Sequence, residues 1–108
     1  MPLKIETEAI FHDTISASTL VMVDFFADWC EPCKWLDLIL ESLEKELPIG
    51  AQIVKIDVEK FTELASNFNV RSVPVLVLFK NGQEVWRMNG FLTKEGLLDK
   101  FESFSRET

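Results

Sequence analysis

The sequence predicts an α/β fold, a central mixed β-sheet of about five strands flanked by four helices. Three observations carry this. Leu20 to Ala27 is almost continuously apolar and reads as a strand buried on both faces, and Val75 to Phe79 reads as a further apolar strand. Apolar stripes at helical spacing lie between these runs and the weaker alternating segments. Asn81-Gly82 follows the second run, a tight-hairpin signal that adds an antiparallel edge to an otherwise parallel arrangement.

Leu3 to Glu6 alternates apolar and polar residues and forms a short first strand. Thr7 can cap a helix over Glu8 to Ala17, in which Ala9, Ile10, Thr14 and Ile15 recur at roughly helical spacing. His12, the only histidine, falls in this helix and reads as solvated, since no second histidine or spaced cysteine lies nearby. Asp24 interrupts the apolar run that follows. An ionised carboxylate is costly there unless paired or protonated, so its proton affinity should be raised. Asp24 is then either a proton carrier or a side chain turned to a polar partner at the sheet's edge.

Asp28-Trp29-Cys30-Glu31-Pro32-Cys33-Lys34 holds both cysteines. Pro32 suits a first helical turn, which sets the helix start at about Cys30 to Pro32. Leu36, Ile39, Leu40, Leu43 and Leu47 give this helix an apolar stripe, and Pro48 and Gly50 end it. Thiols three positions apart on one helix face have Cβ atoms roughly 5–6 Å apart, so the pair can open and close without refolding the chain. Unpaired N–H groups and the positive dipole end lie beside Cys30, where a thiolate is stabilised.

Ala51 to Val58, containing Lys55, reads as the next strand, and Phe61, Leu64, Ala65 and Phe68 as a helical stripe. The hairpin leads into a strand over Glu84 to Asn89. Thr93 then caps a last helix with Leu97, Leu98, Phe101 and Phe104 on its buried face. Trp35 and Trp86 read as helix and strand residues packing on the fold. Right-handed crossovers place helices on both sheet faces. The cysteine motif falls at the carboxyl end of the sheet, where α/β proteins usually carry their sites.

The 108 residues are the length of one domain, 1–108, with 47% apolar residues to build a core. A net charge of −7 and a pI near 4.6 argue against binding nucleic acid or an anionic membrane by charge. The N-terminal residues lack a basic end followed by an apolar run, and nothing approaches the roughly 18–20 apolar residues of a membrane span. The expectation is a soluble cytosolic protein. In a reducing compartment two such close cysteines are catalytic or metal-binding rather than a staple, and a bridge across two residues would restrict the unfolded chain little.

Val23-Asp24-Phe25-Phe26-Ala27-Asp28-Trp29-Cys30-Glu31-Pro32-Cys33-Lys34 closely resembles the active-site segment of thioredoxins. Lys55-Ile56-Asp57-Val58, Val70-Arg71-Ser72-Val73-Pro74, Leu76 to Gly82 and Asn89-Gly90 match later landmarks of that family in order and spacing. The resemblance spans residues 3 to 105. It implies a thioredoxin fold and a general protein-disulfide reductase, monomeric and without cofactor or metal. Electrons would come from thioredoxin reductase or an equivalent donor and pass to disulfide-containing target proteins. By the same resemblance Cys30 is the nucleophile, and Cys33, the more buried thiol, resolves the mixed disulfide. Asp24 is the base serving Cys33, and Lys55 lies near Asp24 and modulates its pKa. Pro74 is a cis-proline facing the cysteines, and Val73 offers backbone hydrogen bonds to a bound peptide. Trp29, Pro32, Val73, Gly90 and Phe91 form an apolar docking patch around the sulfurs.

Three residues depart from the family pattern. Glu31 replaces a Gly, Phe26 a Trp, and Leu38 the proline that commonly bends the long helix, which should leave that helix straighter. A Glu31 carboxylate about 7 Å from the Cys30 sulfur would repel a thiolate by roughly 0.6–2.4 kcal/mol. The expectation is a slightly more reducing protein, since about 1.4 kcal/mol corresponds to about 30 mV. Glu31 could also select partners carrying basic residues. Other readings compatible with the motif are a thiol oxidase or isomerase of an oxidising compartment, and a binding module or chaperone subunit with incidental cysteines. Zinc binding would need a dimer, since two cysteines supply half of a tetrahedral site.

Overall fold

The computed structural model describes residues 2–106, which form five strands and four helices. The strands are β1 (Leu3–Lys4), β2 (Leu20–Phe26), β3 (Ala51–Asp57), β4 (Val75–Lys80) and β5 (Gln83–Asn89). The helices are α1 (Glu8–Ala17), α2 (Glu31–Glu44), α3 (Thr62–Asn67) and α4 (Lys94–Ser105). They build one mixed sheet in the order β1-β3-β2-β4-β5, in which β1, β3 and β2 are parallel and β4 and β5 antiparallel to their neighbours. The predicted fold class and element order are those observed.

Side-chain alternation along the strands divides the core in two. Val21, Val23 and Phe25 of β2, Val54 and Ile56 of β3, and Val75, Val77 and Phe79 of β4 pack with Phe11 and Ile15 of α1 and Leu64 and Ala65 of α3. Leu20 and Met22 of β2, Ile53 of β3, and Leu76 and Leu78 of β4 face Leu36, Leu40 and Leu43 of α2 and Leu97 and Phe101 of α4. Both faces of β2 are therefore covered, and all seven of its residues are buried. By this parity Asp24 lies on the α2/α4 face, paired in register with Lys55 of β3 and Leu76 of β4. β2 is the middle strand, so Asp24 is not a tolerated edge residue.

Local chemistry accounts for most boundaries. The Thr7 hydroxyl accepts the Ile10 N–H at 3.1 Å and that of Thr93 accepts the Gly96 N–H at 3.1 Å, as expected of N-caps. Asn81 and Gly82 both take positive φ, 51° and 84°, the combination a two-residue I′ hairpin requires.

Several expectations are corrected. In α1 the buried line is Phe11 and Ile15, not Ala9 and Ile10; Ile10 is 41% exposed. The four-residue step from Phe11 to Ile15 turns the helix so that Phe11 stacks edge-on against Phe68 and Phe79. Helix α2 closes at Glu44 rather than Leu47, because the Glu46 N–H turns back to the Leu43 carbonyl and Pro48 cannot continue the ladder. Leu47 still packs on the α2/α4 core from beyond the helix end. Trp35 does not pack on the fold: it is 66% exposed on the outward face of α2, with Leu38 at 71% one turn later. Trp86 is half-buried against the α2/α4 core as expected. The N-terminal alternation buries Ile5, while the side chain of Leu3 lies outside the described residues.

The Phe11 assignment has a direct test. Phe11→Ala should cost about 3–5 kcal/mol in urea unfolding, whereas Ile10→Ala should fall within about 0.5 kcal/mol of the parent, as exposed positions generally do.

Candidate active site

Strand β2 ends beneath the first turn of α2, and the cysteines occupy that junction. Cys30 is the N-cap residue of α2, with extended backbone at φ −84° and ψ 110°. Its sulfur accepts the Cys33 N–H at 3.1 Å, in the place a serine or aspartate oxygen would take in an ordinary cap. Glu31 and Pro32 follow as the first helical residues, where the proline's missing N–H breaks no helical bond. Cys30 and Cys33 are joined in a disulfide with Cα atoms 5.3 Å apart. The Cys30 sulfur thus has an N–H donor and a helix N-terminus beside it, the two features that favour thiolate over thiol.

The sulfurs sit in a small apolar cluster with Phe26 and Ala27, against which Val58 and Val73 pack. Cys30 and Cys33 are 3% and 2% exposed, so in this oxidised state the expected difference in burial between them is absent. The bridge draws both sulfurs under the same cover. Val73-Pro74 is cis, as the resemblance implied. The Gly90 N–H donates to the Pro74 carbonyl at 2.8 Å, which ties the Gly90-Phe91 loop to the loop that faces the cysteines. Gly90 stands at φ +104°, a conformation other residues rarely adopt.

Around the cysteines the predicted apolar surface is present in parts. Trp29 is 66% and Phe91 39% exposed, and Pro32 is exposed. Trp29 and Val73 line one cleft of about 310 Å³ with Val58, Ala65, Val70 and Arg71. Sequence reasoning missed this cleft, whose wall comes from α3 and the loop after it. It also missed Glu59, whose carboxylate accepts the Trp29 indole N–H at 2.9 Å and fixes the ring.

Glu31 points into solvent and pairs with Lys34 at 3.2 Å, both side chains being well exposed. Solvent and this counter-ion weaken its field at the sulfur, so the expected repulsion is reduced toward the lower end of its range.

Beneath the cysteines, Asp24 is fully buried, and neither oxygen has a hydrogen-bond partner among the described residues. Burial pushes its carboxyl up from 3.8 to about 7; the Lys55 charge opposes this and the Asp37 charge adds to it. Lys55 lies near Asp24 as expected, beside it in register, and its charge favours the ionised carboxylate. Its ammonium is 2.6 Å from the Asp37 carboxylate and 4.4 Å from the centre of the Phe26 ring. Asp37 was missed in the sequence. The available signal was its position four residues after Cys33 and between Leu36 and Leu40, at the margin of the apolar stripe. Among the described residues, no group of three His, Cys, Asp or Glu is placed to hold a metal ion.

A disulfide whose first cysteine caps a helix at the carboxyl end of a mixed sheet, with a buried carboxyl below, is the arrangement of a thiol–disulfide redox protein. The thioredoxin family model matches residues 2–103. The chain is 43% identical over 96 residues to a thioredoxin of Chlamydia trachomatis serovar D, covering 89% of this chain and 92% of that protein. It is 36% identical over 101 residues to the chloroplastic thioredoxin Y of Oryza sativa subsp. japonica, covering 93% of this chain and 60% of that protein. Among solved structures, a single-site mutant of a thioredoxin from Halobacterium salinarum NRC-1 superposes with a TM-score of 0.90 at 36% identity, covering 99% of this chain and 93% of that one. The chain belongs to the thioredoxin family and is a thiol–disulfide oxidoreductase with the Cys30, Cys33 pair as its redox centre. Membership implies an electron-donating thioredoxin reductase and disulfide-bearing targets.

Asp24 makes stability depend on pH in a stated direction. Its folded pKa lies above the unfolded value, so the ionisation-linked cost of burying it is absent below about pH 4, grows as pH rises to about 7 and then levels off. At the plateau it amounts to roughly 4 kcal/mol. Asp24→Ala should remove this decline. Urea unfolding across pH 4 to 8 should show the variant gaining on the parent as pH rises.

Proposed function

We propose that the chain acts as a general protein-disulfide reductase, as a single-domain monomer in the cytoplasm. The cap bond from the Cys33 N–H to the Cys30 sulfur is the observation that carries this reading, because it favours Cys30 as the attacking thiolate. In the reduced protein the Cys30 thiolate attacks one sulfur of a target disulfide. A Cys30–target bond forms, the target's own S–S bond breaks, and its departing thiolate takes a proton from solvent. Cys33 then gives its proton to the Asp24 carboxylate and attacks the Cys30 sulfur. The Cys30–Cys33 bond forms, and the second target sulfur leaves as a thiolate that takes up the proton held by Asp24. Two electrons pass to the target, and a reductase returns the protein to the dithiol.

Asp24 suits the middle step. Cys33 and Asp37 lie on one face of α2 four residues apart, and the Asp37 charge reaches Asp24, so the Cys33 face of the helix is turned toward Asp24. A carboxyl with pKa about 7 takes and returns a proton at neutral pH with little free-energy cost in either direction. Lys55 modulates it from β3.

For the target chain, the exposed Trp29, Pro32 and Phe91 and the half-buried Val73 and Gly90 offer an apolar surface beside the bridge. Val73 packs against the cysteine cluster, where its backbone is available to a bound peptide beside Pro74. The cleft between Trp29 and Val73 extends that surface along α3. Glu31, at the rim, favours targets with basic residues near their disulfide. Among the described residues no helix is long and apolar enough to cross a membrane.

Insulin reduction in the presence of a reductase tests the reading. Cys30→Ser should bring the rate down to that of buffer alone. Cys33→Ser should retain targets on Cys30 as mixed disulfides that dithiothreitol releases. Wild-type turnover equal to that of Cys30→Ser would overturn the assignment.

A further inference from the structure

Asp37 makes an ionic contact that the reaction as described leaves unused. Its carboxylate lies 2.6 Å from the Lys55 ammonium, one helical turn beyond Cys33. The contact is ionic in character, since Oδ1 of Asp37 receives no aligned hydrogen bond. Lys55 is the cation that β3 sets directly beside Asp24. The remaining surroundings of Asp24 offer little competing charge. β4 sets Leu76 opposite it, α4 contributes Leu97 and Phe101 to the same layer, and α2 brings Cys33 and Asp37. A further cation, the exposed Lys4 of β1, has its ammonium 5.6 Å from the Phe26 ring centre.

We propose that Asp37 is a positioning residue that holds Lys55 off Asp24 and so keeps the Asp24 carboxyl able to exchange a proton at neutral pH. The inference rests on the reading of Asp24 as the proton partner of Cys33.

A single ammonium stands between two carboxylates with unequal claims on it. Asp24 is fully buried, so pairing there would hold a carboxylate where its desolvation is most costly. The Asp37 side chain is 39% exposed, stays hydrated on one side and takes the cation at lower cost. The ammonium remains over the Phe26 ring, with the Lys55 side chain 15% exposed, a site that favours a cation held by the ring face as well as by the carboxylate. From Asp24, Lys55 and Asp37 together act as a nearly neutral pair, and the pull of the first is opposed by the repulsion of the second. Without Asp37, Lys55 is left with Asp24 as its nearest buried anion. A carboxylate beside an unshared cation ionises about one to three pH units lower. It would then be a weaker base toward Cys33.

The decisive measurement is the titration of the Asp24 carboxyl carbon by 13C NMR in the oxidised protein, which requires no turnover. In the parent the midpoint should lie at about 7. Asp37→Asn should lower it by about one to three pH units. Asp37→Glu should hold it near the parent value, and Lys55→Gln added to Asp37→Asn should raise it again. A midpoint unchanged or raised in Asp37→Asn overturns the proposal, as does Asp37→Glu behaving like Asp37→Asn. A merely structural role would lower the thermal midpoint of Asp37→Asn and leave the titration in place. The pH profile of insulin reduction separates this inference from the reading beneath it. A limb that moves with the lowered midpoint supports Asp24 as the base, whereas a moved titration with an unmoved limb overturns that role.

Discussion

The structure depends on a cap. Every α-helix starts with N–H groups that its own ladder cannot satisfy, and in α2 the acceptor brought to them is the sulfur of Cys30. Local stability and reactivity thus draw on the same contact. The helix is anchored on its far side by Leu36, Leu40 and Leu43, all fully buried, so its first turn is held in place by the core rather than by the bridge. The disulfide can be broken while the helix that presents its sulfurs remains docked.

Asp24 is the counterpart of this arrangement. A fully buried carboxyl in the middle strand lowers stability at neutral pH, and no hydrogen bond among the described residues compensates. A carboxyl placed there fits the proposed role of proton partner for Cys33. The Lys55 charge favours ionisation of Asp24 and the Asp37 charge opposes it, and they reach the spot from β3 and α2. The buried redox pair and the titrating group below it are therefore linked through packing as well as through chemistry.

Much of this was legible in the sequence, for identifiable reasons. The buried run around Asp24, the Asn81-Gly82 turn and the Thr7 and Thr93 caps are local signals, each decided by residues within a few positions. The cysteine motif also sits where local rules put it, at a helix start after a buried strand. What escaped depends on rotation or distance. Ile10 and Phe11 differ by one position in α1, and only contact with Phe68 and Phe79 decides which is inside. Trp35 reads in the sequence as a helix residue packing on the fold, yet α2 already fills its inner face with leucines. The Lys55–Asp37 contact joins residues on different elements and cannot be read from either alone. The same holds for Glu59 on the Trp29 indole, thirty residues away.

The alternation of β2 has one more consequence. Odd-numbered residues of that strand face α1 and α3 and even-numbered ones face α2 and α4, so the sheet acts as a partition between a compartment with acid–base chemistry and one made of hydrocarbon alone. Substitutions among Phe11, Ile15, Val23 and Leu64 can tune how firmly the molecule holds together without touching the groups that govern its protons.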